Sequence, residues 1–348
     1  FPWGILILSQ RKMSPLSMAR TALSIPLIAS AILAFPSGMS AQQSFSDVPP
    51  GHAAYEAVEH LKSQGIIGGY PDGTYKPDRT VNRAEAAKII VATLASDDEL
   101  AQETTTVFAD VPAGSWYLPF VELARKKFLI IDGPPKRSSF KGERSVLKVE
   151  FLKMWLLASK ADIHGAFSEV QLPLSSDVTN PSEWFYPYLR YAITSSMTMI
   201  GVDGTFAPGR ELTRGEVALL MYRSLMYEEG RRTQALLSEA ESEIIAILGY
   251  LDDNNITQAE YAAARGLLAA RGAHASRPDV SIVQGALKVT EAFHELVKGY
   301  RAGVNRDFPR SVELAEKAWN LAEEARAKDA SLDLLATQLQ DAAHTMAE

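Results

Sequence analysis

Between Phe45 and Tyr227 the chain runs three times through the same order of residues. Each copy opens on Asp-Val, at Asp47-Val48, Asp110-Val111 and Asp177-Val178. Each then reaches an Asp-Gly pair, at Asp72-Gly73, Asp132-Gly133 and Asp203-Gly204. An aromatic residue follows, eight positions ahead of a basic one: Tyr75 and Arg83, Phe140 and Lys148, Phe206 and Arg214. A glutamate closes the pattern at Glu85, Glu150 and Glu216. The opening aspartates are 63 and 67 residues apart. A period of that size carries its own helices and describes a small unit copied three times. Three similar units also present three similar surface sites.

Within the first copy, Tyr55, Val58 and Leu61, and later Ile89, Ile90 and Leu94, recur at helical spacing. A glycine-rich turn from Gly65 to Gly73 lies between them, so the unit reads helix, loop, helix. The copies occupy 42–95, 107–160 and 174–227. The middle one carries five extra residues within Pro134 to Ser139. Acidic or polar linkers, Ser96 to Thr106 and Ala161 to Ser175, join them. From 228 to 348 alanine, leucine and glutamate dominate. Helices are expected at 231–250, 257–271, 279–301, 309–328 and 331–346. Thr257 and Glu260 stand at capping-box spacing, and Pro309 suits a first helical turn. The fold class is therefore mainly α, ending in a helical hairpin array or bundle.

Net charge of −7 argues against a broad nucleic-acid face, so no nucleic acid is expected as a partner. The absence of cysteine excludes disulfides, thiolate zinc sites and thiol nucleophiles. Residues 1–41 read as a secretory signal. Arg20 precedes an apolar run at 22–35, and small residues around Met39-Ser40-Ala41 follow. Pro26 and the short run disfavour the alternative, a membrane anchor. The segment ahead of Met13 or Met18 fits a start upstream of the true one. The protein is expected to be secreted to the cell envelope.

The second helix of each copy begins at the basic motif. Thr213-Arg214-Gly215-Glu216 is a capping box, and Asn82 is an equally good cap for Arg83-Ala84-Glu85. Arg83 and Arg214 then occupy the first helical position, where a cation opposes the helix dipole by about 0.3–1 kcal/mol. An anion shared between guanidinium and first-turn amides would justify that placement. A salt bridge to a nearby aspartate would do so equally well. In the middle copy Leu147 cannot cap, and Lys148 lacks the planar fork. Trp116 and Trp184 follow their aspartates, whereas the first copy has Ala53 there. Each tryptophan suits either a sugar ring or the core. Asp47, Asp110 and Asp177 suit either a ligand site or the cap of each first helix.

These residues resemble the S-layer homology domain family over about half the chain. The first copy carries the resemblance most fully, with Phe45-Ser46-Asp47-Val48, Gly65 to Pro77 and Asn82-Arg83-Ala84-Glu85. The third keeps Asp177-Val178, Trp184, Asp203 to Pro208 and Leu212 to Glu216. The second is degenerate but retains Phe108-Ala109-Asp110-Val111 and Trp116. The resemblance implies a pseudo-threefold bundle whose grooves bind cell-wall glycan, a secondary cell-wall polymer bearing an acidic pyruvyl ketal. The basic positions contacting that acid would be Arg83, Lys148 and Arg214. Asp47, Asp110, Asp177, Trp116 and Trp184 would support the grooves. Ala53 and Lys148 depart from the family pattern.

The leading expectation is a non-catalytic wall-anchoring protein without cofactor or metal. Its part 228–348 would bind a protein partner or self-associate. The alternatives are a self-associating surface-layer scaffold and a wall-anchored enzyme with an unrecognised site in the helical half. His274, His294 and His344 share no two-histidine ligand spacing. Asp252, Asn254 and Thr257 lack the glycine and terminal glutamate of a calcium loop.

Overall fold

The computed structural model describes residues 43–347 except 132–135, 137, 166 and 169. The expected signal at 1–41 and the middle Asp132-Gly133 turn lie outside the described residues. The described chain is mainly α with no strand, and three isolated bridges are its only β pairing. It divides into two compact units. One comprises the residues up to Gln171 with Ser176–Arg232, the other Leu172–Ser175 with Thr233 onward.

In the first unit each repeat supplies two helices. They are α1 (Tyr55–Ser63) and α2 (Arg83–Leu94), then α4 (Leu118–Lys126) and α5 (Lys148–Ala158), then α6 (Tyr186–Thr194) and α7 (Arg214–Glu228). The second helices are apolar around most of their circumference, as a helix enclosed by others must be. Ile90, Trp155 and Met221 hold equivalent positions in α2, α5 and α7, and all three are buried. The Trp155 indole donates to Ser224 Oγ at 2.8 Å, so its one polar atom is satisfied.

The repeats are joined by a closed ring of main-chain hydrogen bonds. Val81 N–H donates to Leu212 O, Leu212 N–H to Val146 O, and Val146 N–H to Val81 O, at 2.9, 3.3 and 2.9 Å. The first helical residue of each motif extends the ring. Arg83, Lys148 and Arg214 N–H donate to Arg144, Arg210 and Arg79 O, at 2.9, 2.8 and 2.9 Å. First-turn amides orphaned by helix geometry are thus satisfied by the neighbouring repeat. Gly215 lets this approach be close: a Cβ on it would lie 3.3 Å from both Pro77 O and Pro77 Cβ, whereas Ala84 and Val149 carry one at the equivalent positions.

Both linkers are ordered where described. Ser96 and Glu99 form a capping box that starts the short helix α3 (Asp97–Ala101). In the second linker Ile163, Phe167 and Val170 are buried. Arg190 of α6 gathers its carbonyls, donating to Ile163, Ser168 and Val170 O at 3.0, 3.0 and 3.2 Å.

The second unit contains α8 (Thr233–Asp252), α9 (Ile256–Ser276), α10 (Ser281–Val304), α11 (Phe308–Lys328) and α12 (Asp333–Ala347). These match the five helices expected, with ends moved by a few residues. Pro309 stands in the first turn of α11. The expected Thr257–Glu260 box does not form. Asn255 caps α9 instead, and Glu260 is drawn away by Arg301, which donates to both of its carboxylate oxygens at 2.9 and 2.6 Å. Arg301 also reaches Thr257 Oγ1 at 3.0 Å. A bidentate guanidinium outcompetes a neutral amide for the same carboxylate. Leu248, Val289, Phe293, Leu296, Leu335 and Leu339 form the core of this unit.

Candidate functional site

The basic residue of each repeat reaches into the next. Arg83 Nε donates to Phe140 O at 3.1 Å, Lys148 Nζ to Phe206 O at 3.0 Å, and Arg214 Nε to Tyr75 O at 2.8 Å. Each cation also lies over the ring of the same residue, 5.2, 3.8 and 4.5 Å from the centroid. Arg214 adds a bond to Gly68 O at 3.0 Å and a second ring, Tyr70, at 5.2 Å. A cation against a helix N-terminus is therefore compensated by carbonyl dipoles and ring faces. In Arg214 the Nη1 group makes no hydrogen bond among the described residues, so part of the fork stays available to the groove.

The aspartates do not cap the first helices. Those begin after Ala54, Tyr117 and Phe185, none of which receives a side-chain cap bond. Instead each carboxylate clamps two successive amides of the aromatic segment. Asp47 accepts from Tyr75 and Lys76, both at 2.7 Å. Asp110 accepts from Phe140 and Lys141, both at 2.7 Å. Asp177 accepts from Phe206 and Ala207, both at 2.8 Å. The second residue of each pair has positive φ: 58° at Lys76, 59° at Lys141 and 55° at Ala207. The carboxylate thus holds a left-handed turn that a non-glycine residue rarely adopts. That turn fixes the carbonyl on which the next basic residue rests.

A third set of pairs escaped the sequence reading. Arg79, Arg144 and Arg210 stand four residues before the basic motif and donate to Glu85, Glu150 and Glu216 at 2.5, 2.6 and 2.5 Å. Their recurrence at −4 was the available signal. Each glutamate returns its other oxygen to the N-cap amide, at 3.0, 3.1 and 2.9 Å. This return bond also forms at Leu147, although leucine offers no acceptor for the other half of the box. The middle helix consequently starts in the same register as its counterparts, contrary to what Leu147 suggests in isolation.

Trp116 and Trp184 are 52% and 53% exposed, which excludes a core role for their rings. Lys88 of α2 lies 5.4 Å from the Trp116 centroid, and Lys153 of α5 lies 5.6 Å from that of Trp184. Both lysines stand five residues after the basic motif, where the third repeat has Leu219. A groove of about 370 Å³ is lined by Gly68, Tyr70, Tyr75, Lys88, Trp116 and Arg214. Residues of all three repeats meet there. The structure therefore brings Arg214 together with Trp116 and leaves Arg83 at Phe140, with Glu150 at 3.9 Å. Where α7 packs on α1, the sequence has Leu219 and Ala53 at the positions that correspond to the lysines and tryptophans of the other repeats.

Lys148 is buried, 8% exposed. Burial, reinforced by Arg210, pushes its ammonium down to about 8 from the usual 10.5. Between those values the unfolded chain holds more protons than the folded one, so stability rises with pH through that window. Lys148→Met removes this dependence. Its stability relative to the unsubstituted protein is expected to fall by about 1–3 kcal/mol from pH 8 to pH 10.5. Urea unfolding at several pH values measures it, and a difference independent of pH would refute the assignment.

A family model for the S-layer homology domain matches residues 44–87 and 176–218. Cell surface glycoprotein 1 of Acetivibrio thermocellus is 27% identical over 170 residues, 47% of this chain and 7% of that protein. Amylopullulanase of Thermoanaerobacterium thermosulfurigenes is 27% identical over 180 residues, 52% of this chain and 9% of that protein. The surface-layer 125 kDa protein of Lysinibacillus sphaericus is 28% identical over 206 residues, 57% of this chain and 16% of that protein. The chain thus spans less than a fifth of the length of each of these relatives. With the motif residues of both matched segments clamped in the same way, 44–87 and 176–218 are S-layer homology domains, and the chain is a protein of the cell-envelope surface.

Proposed function

We propose that this protein is a non-catalytic anchor that binds an acidic cell-wall glycan through its repeats, chiefly in the groove holding Arg214. One observation carries the reading. Arg214 and Lys88 offer two cations beside the exposed indole of Trp116 in a single groove. The cations suit an acidic substituent such as a pyruvyl ketal, and the indole face suits the C–H face of a sugar ring. The second interface keeps Arg83, Lys153 and Trp184 and is the auxiliary site. The third has buried Lys148, with Leu219 and Ala53 in place of lysine and tryptophan, and contributes packing rather than affinity. The helical unit serves as the display or partner-binding half.

The test uses the whole chain and purified sacculi. Co-sedimentation is expected with native sacculi and is expected to be lost after mild acid hydrolysis of ketals. Retention unchanged by that treatment would exclude the ketal as ligand. Absence of retention on any sacculus would refute the anchor. The amylopullulanase match supports a second reading, a wall-anchored enzyme. Release of reducing sugar from wall material by the purified chain would favour it, and none is expected.

A further inference from the structure

The groove between α11 and α12 has a satisfied end and an open one. At the first, Arg326 donates to Thr337 Oγ1 and Gln340 Oε1 at 3.0 and 3.1 Å. Gln340 Nε2 donates in turn to Glu323 at 3.1 Å. Toward the other end a cavity of about 320 Å³ opens, within the range of about 300–1,000 Å³ usual for small-molecule sites. Buried Ala315 and Ala343 keep its base small. Glu316, Trp319 and Asn320 line it from α11, and His344 from α12.

Trp319 is 43% exposed. The exposed indoles of Trp116 and Trp184 each have a lysine near the ring. Trp319 has no such cation, no second ring and no hydrogen bond among the described residues. Glu316 stands one helical turn before it, on the same face. The other three acidic residues of α11 are paired, Glu313 with Arg310, Glu323 with Arg326 and Glu324 with Lys288. Glu316 has neither ion pair nor hydrogen bond among the described residues, and Asn320 has no hydrogen bond among them. The described lining contains no lysine or arginine. An indole face attracts a cation, and a carboxylate pairs best with a charged donor. The repeats supply that cation from their own helices; here a ligand must bring it. A bare ammonium would leave the Asn320 amide unused, whereas a hydroxyl can meet its donor and its acceptor.

We propose that this groove binds an amino sugar with a free amine. The C–H face of the ring lies on Trp319, the ammonium on Glu316 and a hydroxyl on the Asn320 amide. The site is confined to the helical unit and does not rest on glycan binding by the repeats, where Arg214 and Lys88 disfavour a cationic sugar.

The probes are a glucosamine trimer and its fully N-acetylated counterpart, with methylammonium as the cation alone. They are added to the whole chain at millimolar concentrations and followed by the indole N–H resonances, that of Trp319 being the one lost in Trp319→Phe. A saturable shift of Trp319 is expected with the glucosamine trimer, and Trp116 and Trp184 are expected to stay in place. Acetylation of the amine and Glu316→Gln should each raise Kd about tenfold or more. Equal binding of the acetylated trimer, or an unchanged Kd in Glu316→Gln, would overturn the ammonium pairing. An equal shift from methylammonium would overturn the sugar. No shift of Trp319 with either trimer would overturn the site. Glu316 is exposed, so its variant should melt as the unsubstituted protein does. Should it fail to fold, the comparison of the two trimers on the unsubstituted protein decides the question by itself.

Discussion

Arg214→Ala is expected to weaken retention on sacculi by about ten- to a hundredfold, the loss of one charge-assisted bond of roughly 1.5–3 kcal/mol. The same substitution removes bonds to Tyr75 O and Gly68 O, so some loss of melting temperature accompanies it. Lys88→Ala separates the two effects. Lys88 is exposed, and its ammonium faces the Trp116 ring. That variant should melt as the unsubstituted protein does yet bind more weakly. Lys148→Ala should leave retention nearly unchanged, because its ammonium is buried on Phe206 O. Binding isotherms on sacculi, paired with melting curves, check all three. Normal retention in both Arg214→Ala and Lys88→Ala would show that the cations serve packing alone.

Arg190→Met should cost the repeat unit about 2–4 kcal/mol, because the carbonyls gathered by the guanidinium are left without their buried donor. Arg190 is 2% exposed, and its fork holds Ile163, Ser168 and Val170 O. Methionine fills much of the space but donates nothing. The described part of the second linker should open first, with faster amide exchange around Ile163 to Val170 and earlier proteolytic cleavage there. Urea unfolding gives the magnitude and exchange gives the place. An unchanged midpoint with the linker still protected would sink this account of Arg190.

Local chemistry was legible and long-range partners were not. Asn82-x-x-Glu85 and Thr213-x-x-Glu216 act within one helical turn, so their boxes could be read from spacing. So could the five helices after 228, whose apolar periodicity is a property of each segment alone. Arg214 and Tyr75 meet across 139 positions, and no local pattern encodes that meeting. The aspartates illustrate the same limit. Asp47 lies eight residues before the start of α1 and suggests a nearby cap, but its amides come from Tyr75 and Lys76. The displaced cap of α9 has the same origin, since Arg301 claims Glu260 from another helix. Family resemblance named the basic positions, but the grouping of Arg214 with Trp116 and Lys88 depends on which repeat abuts which.

The ring through Val81, Leu212 and Val146 imposes an order in time as well as in space. Val81 N–H finds its acceptor only on Leu212, so a growing chain carries the first repeat unfinished until the third has been made. Closing a loop that long adds an entropic cost that grows slowly with length, but it delays folding through its high contact order. A nascent chain stopped after two repeats would expose amides and carbonyls of a broken circle. Deleting or duplicating one repeat should therefore harm folding more than altering any single groove, and this architecture favours gaining or losing its repeats in sets of three.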